Sequence, residues 1–71
     1  MTIQKIAQMQ SDTTSIIHFA RRGTSDSYWF DDEVLNTYRD SPGSGRHVSL
    51  DLCALAATDW KIIKQIRVGY L

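Results

Sequence analysis

The apolar and polar residues between positions 15 and 30 alternate in a way that predicts a β-hairpin. The stretch "SIIHFA" at 15–20 is dense in β-branched and aromatic residues, which favour strands. The loop "RRGTSD" follows with its own glycine, and "SYWF" at 27–30 is typical of a second strand. We therefore expect an antiparallel hairpin over residues 15–30.

The hydrophobic spacing changes after Phe30 and predicts a helix over residues 31–39. Asp31 suits the N-cap position, and Leu35 then has the spacing from Phe30 that is typical of a hydrophobic staple. The first turn would hold two acidic side chains that the helix dipole favours, namely Asp32 and Glu33. A junction of this kind explains the acidic residues without any partner.

Two interpretations fit the last third of the chain. Ser49 can cap a helix over residues 49–57, and a helical stripe continues through Leu52, Leu55, Ala56, Trp60, Ile63 and Ile66. Residues 60–70 also alternate as a strand would, through Trp60, Ile62, Ile66 and Val68. We expect a helix over 49–57 and favour another over 60–68, while the strand interpretation stays open.

The N-terminal segment and the length of the chain complete the predicted fold. Residues 1–9 fit a helix or a strand, and we favour the strand because Ile3, Lys5, Ala7 and Met9 alternate tolerably. A chain of 71 residues allows one domain with a thin core. The sequence therefore predicts an α+β fold, a single compact domain over 1–71 in which the hairpin packs with two or three helices.

Composition narrows the classes of protein that fit. The single cysteine, Cys53, rules out an internal disulfide and a zinc ribbon, and it suits a reducing compartment. The first ten residues are too rich in Gln and Lys for a signal peptide, and no apolar run approaches the length of a membrane span. We therefore expect a soluble, cytoplasmic protein that is a monomer or a small homo-oligomer.

No motif in the chain predicts catalysis, a metal site or a cofactor. His18 lies in the middle of a predicted strand, so a half-buried histidine bonded to a backbone carbonyl is the expected role. Cys53 is placed on an apolar helix face, where a thiol packs and is inert. The adjacent carboxylates at 31–33 point in different directions on a helix and do not converge on one site. We expect a protein that is not an enzyme and that binds no cofactor or metal.

Residues 49–69, "SLDLCALAATDWKIIKQIRVG", resemble a helix-turn-helix in broad outline. The resemblance implies a recognition helix whose outer face carries Trp60, Lys61, Lys64 and Gln65, and Arg67 extends the basic run, which contains no acid. It implies a small nucleic-acid-binding regulator, which is the alternative function. The net charge of zero argues against it, because binding to phosphates depends on neutralising them.

The aromatic and acidic stretch at 28–33 is the preferred candidate for a binding surface. Adjacent strand residues face opposite ways, so Trp29 is expected to face solvent if Phe30 is the staple. An exposed tryptophan rimmed by acids suits a protein partner with basic residues. The candidate partner-binding residues are Tyr28, Trp29, Asp32 and Glu33.

The preferred function is therefore a protein-binding module or inhibitor that occupies a surface of its partner. Compact chains without catalytic motifs are common among phage and mobile-element proteins that inhibit host machinery. An anti-defence protein such as an anti-CRISPR is an example of this class.

Overall fold

A computed structural model describes residues 1–31, 34–38 and 46–67. The described elements follow the chain in the order α1 (Ile3–Ser11), β1 (Ile16–Arg21), β2 (Ser27–Asp31), β3 (Val34–Tyr38), β4 (Arg46–His47), α2 (Leu52–Ala56) and β5 (Trp60–Ile66). The five strands form one antiparallel sheet in the order β4-β3-β2-β1-β5. The predicted α+β class is confirmed, but the sheet is larger than the predicted hairpin.

The core lies between one face of the sheet and the two helices. Ile3 and Ile6 of α1 pack against Ile17, Phe19 and Trp60, and all five side chains are buried. Ala54 and Leu55 of α2 are partly buried and pack against the same cluster. Among the described residues, no helix is long and apolar enough to cross a membrane.

The prediction of a strand at the N-terminus is wrong, because Ile3–Ser11 is a helix. Thr2 caps it, since the backbone N–H of Lys5 donates to the Thr2 hydroxyl oxygen at 3.2 Å. Ile3 and Ile6 are three residues apart and therefore lie on the same face of the helix, toward the core. Burial of these two isoleucines outweighs the weak alternation that suggested a strand.

The predicted hairpin is confirmed. β1 and β2 pair antiparallel with Phe19 opposite Tyr28. Gly23 in the connecting loop has a φ of 80°, a left-handed conformation that disfavours other residues. The glycine in "RRGTSD" therefore permits the turn between β1 and β2.

The prediction of a helix over 31–39 is wrong for the described part of that range, residues 31 and 34–38. Val34–Tyr38 is a strand, and Phe30 lies opposite Leu35 across the β2–β3 pair. The contact expected from a hydrophobic staple is thus a cross-strand pair. Asp31 is the last residue of β2 and not an N-cap, while Asp32 and Glu33 lie outside the described residues.

The favoured helix over 60–68 is also wrong, because Trp60–Ile66 is the strand β5. Its register with β1 pairs Phe19 with Ile62 but His18 with Lys64, so Ile63 is one extra residue on β5. This β-bulge shifts the alternation by one position. A strand with one inserted residue mimics the three-residue spacing of a helix, which explains the ambiguity of the pattern.

The helix predicted over 49–57 is confirmed in a shorter form, Leu52–Ala56. Asp51 caps it in place of Ser49, accepting a hydrogen bond from the backbone N–H of Ala54 at 2.8 Å. Leu52 is 81% exposed and Ile63 is 42% exposed, so the predicted core stripe through both residues is wrong.

Candidate functional site

The sheet has a second face, on the side away from the two described helices. Residues that alternate with the core positions point to this side. We call it the open face, and its described members are Ile16, His18, Ala20, Trp29, Asn36, Lys61, Lys64 and Ile66. Both described helices pack on the opposite face of the sheet.

Strand register places a row of side chains across the middle of the open face. His18 lies opposite Lys64 on one side, and the pairing of Phe19 with Tyr28 places Trp29 opposite His18 on the other. Trp29 in turn lies opposite Asn36 of β3. The row joins four of the strands, although its members come from positions 18 to 64.

The centre of this row is a stacked pair of rings. The imidazole of His18 and the indole of Trp29 have ring centroids 5.7 Å apart and planes only 18° from parallel. His18 is 2% exposed and Asn36 is 5% exposed, even though both described helices pack on the other face. The indole of Trp29 covers one side of the His18 ring.

The environment of His18 lowers its pKa below the ordinary value of 6.5. Burial is the larger cause, because it removes water from the charged imidazolium, and the positive charge of Lys64 acts in the same direction. The imidazole is therefore neutral near pH 7. A neutral ring packed against an indole is poorly placed to exchange protons with a substrate.

Exposed cations flank the stacked pair on the β5 side. Lys61 and Lys64 are both exposed and lie on the open face, opposite Ala20 and His18 respectively. Ile66 follows on the same face and is 39% exposed. The open face therefore combines a half-buried tryptophan, a positive rim and an exposed aliphatic side chain.

The two described residues of the predicted partner-binding set, Tyr28 and Trp29, face opposite sides of the sheet. Trp29 is on the open face, as expected, and is half-buried with its ring stacked on His18. Tyr28 points to the helix side and packs against Phe19 and Trp60, with centroids at 6.1 and 5.4 Å. The other two predicted residues, Asp32 and Glu33, lie outside the described residues.

The predicted recognition helix does not exist, since its residues form β5. Trp60 is buried, and its indole N–H donates to the carbonyl oxygen of Ala54 at 2.9 Å, so it is a core residue. Gln65 lies opposite Ile17, so it is on the other face of the sheet from Lys64. Lys61 and Lys64 do share a face, and Arg67 is exposed just after the strand.

The candidate nucleophile and metal ligands also differ from expectation. Cys53 is exposed on α2, so its predicted packing role is wrong. His18 is more deeply buried than the half-buried residue expected, and its ring contact is with Trp29. Within the described ranges, no group of three or more His, Cys, Asp or Glu side chains is placed to hold a metal ion.

A groove of about 700 Å³ lies on the helix side of the sheet. It runs between α1, the β2–β3 pair and the segment that precedes α2, and its walls include Ile3, Phe30, Leu35, Val48, Leu50 and Leu55. The lining is mainly apolar, but it also includes the polar residues Gln4, His47 and Ser49. The groove has a volume that suits a small ligand.

Sequence reasoning missed Asn36 and the role of His18. The place of Asn36 depends on the register of the β2–β3 pair, and that of His18 on the register of β1 with β2 and β5. The hairpin prediction did contain a signal for the ring pair, because an antiparallel register with Phe19 opposite Tyr28 also sets His18 opposite Trp29.

Comparisons of the chain with protein-family models, with curated proteins and with solved structures find no significant match.

Proposed function

We propose that this chain is a non-enzymatic protein-binding module that acts by occupying a surface of its partner through the open face. One observation carries the proposal: Trp29 lies on a sheet face that neither described helix covers, and exposed Lys61 and Lys64 lie on the same face across β1. Tryptophan is among the residues that dominate binding energy at protein interfaces, most often near their centre.

The charge of the open face defines the partner more closely than the sequence did. The described rim is positive along β5, so the complementary partner presents acidic groups there. The earlier expectation of a basic partner rested on Asp32 and Glu33, which lie outside the described residues. Lys61 and Lys64 would act mainly on the rate of encounter, because rim charges steer association.

Inhibition is the activity that requires the least of such a module. A small domain with one dominant surface can block a partner by covering it, without turnover or a cofactor. A phage or mobile-element anti-defence protein, for example an anti-CRISPR, is the kind of inhibitor we have in mind. A cytoplasmic location belongs to the same proposal, since Cys53 is the single cysteine of the chain.

The test is capture of a partner from a host lysate, followed by calorimetry with the purified partner. Trp29→Ala should weaken binding by about 2 kcal/mol or more if Trp29 is central to the interface. Gln10→Ala is the matched control, because it removes hydrogen bonds between α1 and β1 without touching the open face. Binding that falls equally in both variants would show that stability, and not the open face, is being measured.

Binding of single-stranded nucleic acid by the same face is the second candidate. Lys61 and Lys64 share the face with Trp29, which is the combination of cations and an aromatic ring that single-strand binders use. One side of the indole is occupied by His18, however, so less of it is available for a base to stack on. A fluorescent oligonucleotide titrated at two salt concentrations separates the candidates, because binding to phosphates weakens steeply as salt rises.

A further inference from the structure

The outer edge of β5 is a second feature that can engage a partner. β5 is at the end of the sheet, and among residues 1–31, 34–38 and 46–67 the only strand paired with it is β1. Five of its seven residues, Lys61 and Ile63–Ile66, are exposed. An edge of this kind presents backbone N–H and C=O groups that an added strand can pair with.

The chain itself already uses one position on this edge. The N-terminal ammonium of Met1 donates to the carbonyl oxygen of Trp60 at 2.9 Å, and the backbone N–H of Trp60 donates to the carbonyl oxygen of Met1 at 3.2 Å. This reciprocal pair is the pattern of an antiparallel ladder. The main-chain groups of Trp60 therefore point outward, those of Lys61 point inward to β1, and those of Ile62 point outward again.

The charge of the edge selects its occupant. Lys61, Lys64 and Arg67 are exposed, and residues 60–67 contain no acid. Two copies of β5 paired with each other would bring these cations together along one seam, which is a device that prevents edge-to-edge association. An extended segment with acidic side chains would instead place opposite charges across the seam.

The bulge sets the spacing of those acids. Lys61 and Lys64 are three residues apart, yet they share a face because Ile63 is the extra residue. β1 shows the matching register, since the lysines lie opposite Ala20 and His18, which are two positions apart. A regular partner strand would therefore meet both lysines with acids separated by one residue.

We propose that the edge of β5 binds an extended acidic segment of a partner protein by strand addition, and that it selects two acids separated by one residue. This inference rests on the proposed function and names the chemistry of the partner. The partner strand would hydrogen-bond to outward groups such as those of Ile62, and its two carboxylates would pair with Lys61 and Lys64 on the open face.

The experiment uses end-blocked peptides of threonine and valine titrated into the isotopically labelled protein up to millimolar concentration. One peptide carries two glutamates separated by a valine, the second has the same composition with adjacent glutamates, and the third replaces the separated glutamates with lysines. The first should shift the amide resonances of residues 61–66 and bind roughly fivefold more tightly than the second. The third should not bind.

Backbone methylation supplies an independent control. A residue opposite Lys61 turns its own N–H away from β5, so methylating the nitrogens of the glutamates should be tolerated and should also prevent peptide self-assembly. Methylating the valine nitrogens should abolish binding, because these N–H groups face β5. Equal effects of the two methylation patterns would overturn strand addition.

Charge reversal in the protein completes the test. Lys61→Glu combined with Lys64→Glu should transfer the preference from the glutamate peptide to the lysine peptide, whereas Lys5→Glu on α1, an exposed site with the same charge change, should not. Absence of binding, or equal binding of the separated and adjacent glutamates, overturns the inference. If peptide binding fails while capture of a partner still depends on Trp29, this inference falls and the proposed function stands.

Discussion

The two faces of the sheet both shield their central residues from water, but with different chemistry. The helix side does so with aliphatic and aromatic packing, in which Phe19 lies against Tyr28, Phe30 and Trp60. On the open face a histidine and an asparagine are buried, and an indole stacks on the histidine. The first arrangement supplies stability, while the second leaves a tryptophan and two lysines directed outward.

This difference has a consequence for a domain of such small size. A chain of 71 residues has little apolar surface to bury, and total stability for small domains is only about 5–15 kcal/mol. We therefore expect the helix side to dominate the response to mutation and the open face to tolerate change.

Phe19→Ala should be the most damaging substitution. The ring is fully buried and contacts three other aromatic side chains, so its removal should lower the free energy of unfolding by about 3–5 kcal/mol. Leu52→Ala is the control, because an 81% exposed side chain should change stability by less than about 0.5 kcal/mol. Urea denaturation followed by circular dichroism measures both. Similar losses in the two variants would contradict the assignment of the core.

Gln10→Ala should have the next largest effect, about 1–3 kcal/mol of unfolding free energy. The Gln10 amide joins α1 to β1, since its Nε2 donates to the Ser15 carbonyl oxygen at 2.6 Å and its Oε1 accepts from the Ile17 N–H at 2.9 Å. Gln8→Ala, an exposed site on the same helix, should be close to neutral. Equal stability of both variants in the same denaturation assay would mean that the bridge contributes nothing.

The open face should make stability depend on pH through His18. Its pKa is lowered in the folded state, chiefly by burial, so the unfolded chain binds more protons as pH falls through about 6.5. The stability contributed by the neutral imidazole is present above that pH and is lost below it. The slope for one proton cannot exceed about 1.4 kcal/mol per pH unit.

Two variants isolate this effect. His18→Gln should flatten the pH dependence of the free energy of unfolding between about pH 5 and 7. The control is His47→Gln at an exposed histidine, which should leave the pH dependence caused by His18 intact. Asp59 contributes in the same direction but at lower pH, because its hydrogen bond from Arg21 lowers its pKa below the ordinary 3.8. A pH profile that is unchanged in His18→Gln would remove histidine burial as the cause.

Cys53→Ser should have the smallest effect, within about 0.5 kcal/mol, because the side chain is exposed on α2. The thiol of the folded wild-type protein should also react with a disulfide reagent without added denaturant. A protected thiol, or a large loss of stability, would place Cys53 in the packing that the sequence pattern first suggested.

Local patterns predicted part of this fold well. The hairpin over 15–30 and the helix around Leu52–Ala56 depend on strand propensity, a glycine turn and a capping residue, all of which act over a few positions. The errors at 31–39 and 60–68 arose where the same residues satisfy two patterns. An acid after Phe30 suits a helix cap and also the end of a strand before a turn.

The candidate site was less predictable than the fold. Trp29 was identified from its alternation with Phe30, but Tyr28 was assigned to the same surface although strand geometry turns it to the other side. Lys61 and Lys64 were paired on a helix that does not form, and they share a face only because of the bulge at Ile63.

By itself, the sequence determined a small α+β domain, the position of its first hairpin and the presence of aromatic and basic residues without a catalytic motif. Tertiary structure decided which residues of β5 face the core, which side of the sheet the helices cover and which ring lies beside His18. The physical reason is the range of the interactions. Caps and turns depend on neighbours in the chain, whereas the register and bulge of β5 depend on hydrogen bonds to β1, whose paired residues are 39 to 50 positions away in sequence.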